Sequence, residues 1–246
     1  MLCRPRPFSA QTVAVVLLVL GAAGCRPTAS HGISDRPTRP AAESLATQVT
    51  AVKAGKSTRI TAHEPLSDAE WESLRGLAGL RELVLTAGVA DDSRAELLAT
   101  LPHIERLVLR VSPLSDAGVR TLACCATLRD LNVPQAACTP AGIRALAVLP
   151  DLRSLRLGGA SLARAGTEVG RAVADLPNLR SLHLIDVPLG DDGLAAIASL
   201  PNLWNLYLDG AGVSDESWEG YFESHPRVHV HVDQAHHDRD PGRDHD

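Results

Sequence analysis

The chain closes with HPRVHVHVDQAHHDRDPGRDHD, residues 225–246, which holds six histidines and five aspartates in 22 positions. Imidazoles and carboxylates are good donors for Zn²⁺, Ni²⁺ and Cu²⁺. Val228, Val230 and Val232 alternate with His229, His231 and Asp233. Along a strand this spacing puts both imidazoles and the carboxylate on one face and the valines on the other. With His236 and His237 close by, the five residues form a candidate metal site. The competing account is a capping strand followed by a solvated tail. From Asp233 onward there are five Asp and two Arg and few apolar residues, a composition that predicts disorder for 233–246. A disordered tail also lacks the outer hydrogen bonds that hold metal-bound imidazoles in place. The second account is adopted: no cofactor is expected, Zn, Ni or Cu binding by the tail is weak, and metal handling is the alternative function.

Other reactive residue types give less. KAGKST at 53–58 has the end of a phosphate-binding loop, but the glycine required five residues earlier is Thr50. Cys125 takes a slot filled elsewhere by Leu101, Leu149 and Leu200, and Cys138 one filled by Leu114, Leu162 and Leu189. Both read as small buried hydrophobes. Cys124 falls on the more exposed side, and neighbouring cysteines make strained bridges, so neither a disulfide nor a catalytic thiol is assigned. His63, His103 and His183 do not converge with a nucleophile and an orienting acid. No enzyme is expected.

Apolar residues make up 45% of the chain but aromatics only 3%, so Leu, Val and Ala must fill the core. Removing residues 1–24 leaves 22 basic against 29 acidic residues. This acidic balance excludes the basic footprint that nucleic-acid binding requires.

The first 25 residues, MLCRPRPFSAQTVAVVLLVLGAAGC, have a basic start at Arg4 and Arg6 and an apolar run from Val13 to Ala23. That run is short for a membrane span and suits a signal peptide over residues 1–24. Ala22-Ala23-Gly24 before Cys25 resembles the signal of bacterial lipoproteins, although Ala22 stands where that pattern favours Leu. The resemblance implies lipidation of Cys25 and an exported protein held at the cell membrane or outer membrane, facing the periplasm or cell surface. Residues 25–45, rich in Pro, Ser, Thr and Arg, read as a flexible tether.

The elements that must position any site come from a repeat. LAGLRELVL, LPHIERLVL, ATLRDLNV, LPDLRSLRL, LPNLRSLHL and LPNLWNLYL align on Leu83, Leu107, Leu131, Leu155, Leu182 and Leu206, at steps of 24, 24, 24, 27 and 24. Each strand segment leads through a turn into a helical run whose starts are marked by Ser67, Ser115, Thr139-Pro140 and Ser214. This L-x-x-L-x-L period resembles the leucine-rich-repeat family, of the ribonuclease-inhibitor-like kind. The resemblance implies an α/β solenoid over 46–232, with a curved parallel sheet on the concave face, helices on the convex face and caps at both ends. Trp71 and Trp218, in equivalent slots of the first and last repeats, read as capping residues. The family's ladder Asn is replaced by Gly88, Ser112, Ala136, Ala160, Val187 and Ala211, so the coils are expected to hold by packing and strand pairing alone. The three extra residues of the 27-residue repeat predict a longer helix.

Outward strand positions form columns across the coils. One column reads Val84, Val108, Asn132, Arg156, His183 and Tyr207. Its second half, with Asn205 and Asp209 beside it, offers a cation, an imidazole and a phenol. Trp204 extends the stack Arg129, Arg153 and Arg180 at the strand entrance. Arg and aromatic residues are enriched among binding hot spots. Arg156, His183, Trp204, Asn205, Tyr207 and Asp209 are therefore the expected contact residues for a protein or glycan partner, in a membrane-anchored scaffold that is not an enzyme.

Overall fold

A computed structural model describes residues 43–240. The signal peptide, the lipidation site at Cys25 and nearly all of the tether lie outside the described residues. No helix among them is long and apolar enough to cross a membrane.

The described residues open with helix α1 (Leu45–Lys53) and strand β1 (Arg59–Ala62), then alternate helix and strand. In order come α2 (Asp68–Leu74), β2 (Glu82–Val89), α3 (Asp92–Leu98), β3 (Arg106–Val111), α4 (Asp116–Leu122), β4 (Asp130–Val133), α5 (Pro140–Ala145) and β5 (Ser154–Gly158). The last part holds α6 (Ala160–Ala165), α7 (Thr167–Ala174), β6 (Ser181–Ile185), α8 (Gly190–Ile197), β7 (Asn205–Leu208), α9 (Asp215–Ser224), β8 (His229–Val232) and β9 (Ala235–His236). Among the described residues, all nine strands lie in one sheet in sequence order, parallel except for the final β8–β9 pair. This is the α/β leucine-rich-repeat solenoid that the period implies.

Strand register follows the leucine ladder. Leu83 pairs with Leu107, Leu107 with Leu131, Leu131 with Leu155, Leu155 with Leu182 and Leu182 with Leu206. Each of these side chains is at most 1% exposed, and alternation buries them on one face of the sheet. The ladder runs past the six aligned segments at both ends: Ile60 pairs with Leu83, and Leu206 with Val230.

The expectation that packing and strand pairing alone join the coils is corrected. First-turn aspartates accept bonds from the N-cap residue of the following coil. Asp92 accepts from the Ser115 N–H and hydroxyl, Asp116 from those of Thr139, and Asp191 from those of Ser214. Glycine makes room for two of these carboxylates: a Cβ on Gly118 would sit 2.2 Å from Asp92 Oδ1, and one on Gly142 2.6 Å from Asp116 Oδ1. At the opposite turns, the Asn178 and Asn202 amides donate to the carbonyls of Pro150 and Pro177 in the preceding coil. The coils are thus tied by side-chain ladders displaced from the family's usual Asn position.

The helix starts are as expected. Ser67, Ser115, Thr139 and Ser214 each accept a backbone N–H with the side chain, Ser67 and Glu70 form a complete capping box, and Pro140 opens α5. The long repeat keeps its strand register but does not lengthen one helix. Gly166, at φ +42°, breaks the segment into α6 and α7. Gly170 of α7 then lies so close to α8 that a Cβ there would meet Gly193 O at 2.5 Å.

The N-terminal end is closed by α1, which buries Leu45, Val49 and Val52 against β1 and α2. Trp71 is buried in α2 with the Arg94 guanidinium 5.2 Å from its ring centre. At the other end Trp218, Tyr221 and Phe222 are buried together in α9. Cys125 and Cys138 lie in the core, and Cys124 is exposed.

Disorder from Asp233 is corrected for residues 233–240. Asp233 and Gln234 both take left-handed backbone conformations, φ +51° and +67°, and turn the chain back so that β9 pairs with β8. Such a two-residue turn matches the twist of paired strands. His237 then packs on Trp218 and Phe222 at ring-centre distances of 4.8 and 4.9 Å, and the Arg239 guanidinium donates to Asp215 O. An aromatic platform and an anchoring cation thus offset the ordering entropy that polar composition alone could not. Residues 241–246 lie outside the described residues.

Candidate interaction surface

The open face of the sheet, turned away from the helices, carries the expected column. Val84, Val108, Asn132, Arg156, His183 and Tyr207 are register partners from β2 to β7. The structure adds Thr61 of β1 before it and His231 of β8 after it. One column of outward side chains therefore crosses eight strands and ends in the histidine-rich hairpin.

Its C-terminal half is a connected polar and aromatic surface. His183 Nε2 lies 3.1 Å from Asp209 Oδ2, with the two side chains 22% and 15% exposed. The Tyr207 ring stands between His183 and His231, at centroid distances of 5.5 and 4.9 Å. Between β3 and β7 a depression of about 190 Å³ is lined by Asn132, Arg156, His183 and Tyr207 among others. Two polar atoms there, Asn132 Oδ1 and Arg156 Nε, are buried and have no hydrogen-bond partner among the described residues. Burial, with Arg110 nearby, pushes the Arg156 guanidinium below its ordinary pKa, and Asp209 opposes the shift. A buried donor and acceptor left unmatched cost roughly 1–3 kcal/mol each, which a complementary ligand can recover.

The remaining expected contact residues surround this patch. Asn205 is half-buried in register with Ser181 and His229. Trp204 is 59% exposed, so the last coil does not cover it. Its N–H donates to Arg180 O, and the same step joins Arg180 to Arg153 and Arg153 to Arg129. The backbone positions of Arg129, Arg153, Arg180 and Trp204 therefore form one continuous row at the strand entrance. The six residues line one end of the open face, with Arg156 to Tyr207 in the column and Trp204 at its margin.

The five expected metal ligands separate. His229, His231 and His236 come together, with one ring nitrogen from each lying within 4.8 Å of the others. Asp233 is drawn into the turn, where its Oδ1 accepts the Gly210 N–H at 2.8 Å. His237 points into the aromatic platform, and burial lowers its pKa. The carboxylate that does reach the imidazoles is Asp240, which sequence reasoning missed. Its side chain is fully buried and its Oδ2 lies 2.9 Å from His229 Nδ1 and 3.3 Å from His236 Nδ1. No sequence signal marked it, because it depends on the chain reversal: the eight-residue return from Val232 brings residue 240 back beside Val230, whose N–H donates to the same oxygen at 3.0 Å.

No protein-family model matches the chain. No curated protein matches it either. Among solved structures it is similar to an internalin C2 from Listeria monocytogenes, at 20% identity and a TM-score of 0.47, over 74% of this chain and 73% of that one. It is also similar to an internalin (inlF) from the same species, at 18% identity and a TM-score of 0.42, over 77% of this chain. In that second case it spans 64% of the other chain's length. These likenesses concern the fold alone.

Proposed function

We propose that this is a non-enzymatic interaction protein, exported and held at a membrane by a lipid on Cys25, that captures a protein or glycan partner on the open face of its sheet. The observation that carries the reading is the pair Asn132 Oδ1 and Arg156 Nε. They sit side by side on adjacent strands, buried and unmatched among the described residues. A partner that offers a donor to Asn132 and an acceptor to Arg156 satisfies both. His183, Tyr207 and Asp209 add directed hydrogen bonds and ring area around that point, the combination that dominates binding energy in small hot spots. Trp204 and Asn205 widen the contact toward the strand entrance.

A photo-crosslinking side chain placed at Tyr207 in the membrane-bound protein tests the location. It should trap a discrete partner that the same group placed at Glu96, on exposed α3, does not trap. Equal trapping from both positions would move the interaction off the open face. Anchoring is tested separately by mass spectrometry of the membrane-extracted protein, where an acylated Cys25 is expected as the mature N-terminus. A Cys25→Ser variant that is equally processed and membrane-bound would remove the lipid from the account.

A further inference from the structure

We propose that His229, His231 and His236 bind a divalent transition-metal cation of the Zn²⁺, Ni²⁺ and Cu²⁺ class, with buried Asp240 as the carboxylate that orients His229 and His236. The proposal goes beyond the interaction reading and does not depend on it.

Strand alternation puts His229 and His231 on one face of β8, and antiparallel pairing sets His236 of β9 directly opposite His231. The three rings have centroids 4.7, 4.9 and 4.1 Å apart. His229 Nε2 and His231 Nε2 are 2.9 Å apart. Bonds of about 2.0–2.1 Å from one cation place neighbouring ligand atoms roughly 3 Å apart, so this pair already stands at coordination spacing, and the His236 nitrogen, within 4.8 Å of both, has to close in by ring rotation.

Asp240 supplies what an imidazole site needs behind its ligands. As a carboxylate it accepts the Nδ1–H of His229 at 2.9 Å and faces His236 Nδ1 at 3.3 Å. A proton held on Nδ1 leaves the Nε2 lone pair as the donor, the tautomer that metal binding uses. The Val230 N–H fixes the same carboxylate oxygen from the backbone. Asp240 is itself positioned by its N–H donating to His237 O, and His237 is seated on Trp218 and Phe222. The support for the imidazoles therefore runs into the core of the last coil. Three imidazoles without a thiolate favour the zinc-to-copper group over Ca²⁺ or Mg²⁺, which prefer oxygen ligands. Three protein ligands leave a further coordination position for water or for a side chain of a partner.

Calorimetric titration of Zn²⁺ into the chelator-stripped full chain tests this, with Co²⁺ absorption as a second readout of coordination. One saturable equivalent is expected in the native protein. His231→Gln, which keeps a polar side chain in the hairpin, and His236→Ala should each abolish that equivalent. Asp240→Asn should weaken it by about 10- to 100-fold, the usual cost of losing an outer-sphere carboxylate. His103→Gln, which removes an exposed imidazole outside the cluster, should leave it intact. Circular dichroism of each variant shows that the fold persists. Absence of a saturable equivalent in the native chain would overturn the site and leave a hydrogen-bonded cap. Undiminished binding in the folded His231→Gln variant would overturn it equally, by placing the metal on other residues.

Discussion

Asp92 accepts two hydrogen bonds from Ser115 of the next coil, one from the backbone N–H at 2.9 Å and one from the hydroxyl at 2.5 Å. The same carboxylate sits at the start of its own helix, where acids are favoured by the helix dipole. One residue thus serves helix initiation and coil-to-coil attachment together. Asp92→Ala should destabilise the protein by about 1.5–3 kcal/mol, the range for hydrogen bonds to a charged group. Leu155→Ala, from a side chain 1% exposed, should cost about 2–5 kcal/mol. Asp192, 81% exposed with only a distant Arg171, should cost little. Urea denaturation of the three variants checks the order; equal costs at Asp92 and Asp192 would dissolve the ladder.

Gly170→Ala should destabilise, against the usual trend. In an open helix that change stabilises by roughly 0.5–1 kcal/mol. Here the new Cβ meets the Gly193 backbone at 2.5 and 2.8 Å, and backbone cannot rotate away. A lowered thermal midpoint is expected, and a raised one would mean that α7 and α8 are less closely packed.

Thiol labelling should separate the three described cysteines. Burial raises the Cys125 thiol to about 11 and the Cys138 thiol to about 12, with Asp116 adding to the second. Cys124 is exposed. Peptide mapping after brief alkylation in native buffer should find Cys124 modified and the other two protected until denaturant is added.

Acid should loosen the coil attachments. The Ser214 N–H and hydroxyl, from the following coil, hold Asp191 below its ordinary value of 3.8. A folded pKa below the unfolded one gives stability that is present above the unfolded value and is lost as pH falls through the folded value. The thermal midpoint of the native protein should therefore exceed that of Asp191→Ala at neutral pH. The gap should close as pH drops below 3.8. A gap independent of pH would mean that the ionised carboxylate is not what joins the coils.

The leucine spacing made the sheet legible, because a fixed period with apolar alternation leaves one register that buries every ladder residue. The outward column was legible for the same reason, since the residue after each ladder leucine must face away from the core. Strand β1 was not, because Ile60 stands alone in RITA, residues 59–62, which lacks the L-x-x-L frame. The hairpin was hidden by Asp233-Gln234, a pair without the glycine that usually marks a left-handed turn. Asp240 looked like one more tail acid, since its burial exists only after that turn has formed. Asp92 and Asp116 stand where the helix dipole favours an acid in any case, and their second role shows only in three dimensions. Gly118 and Gly142 were the available clue: glycine recurring inside short helices signals a close approach.

The patch around Arg156 is tested most directly by partner affinity, measured by surface binding of the captured partner to native protein and to an Arg156→Ala, Tyr207→Ala double variant of matched thermal stability. The account predicts loss of binding by at least tenfold, with binding retained when Val84, in the same column on the N-terminal half, is changed to Ala. Unchanged affinity in the double variant would contradict the account and place the partner on the helices or on the C-terminal hairpin.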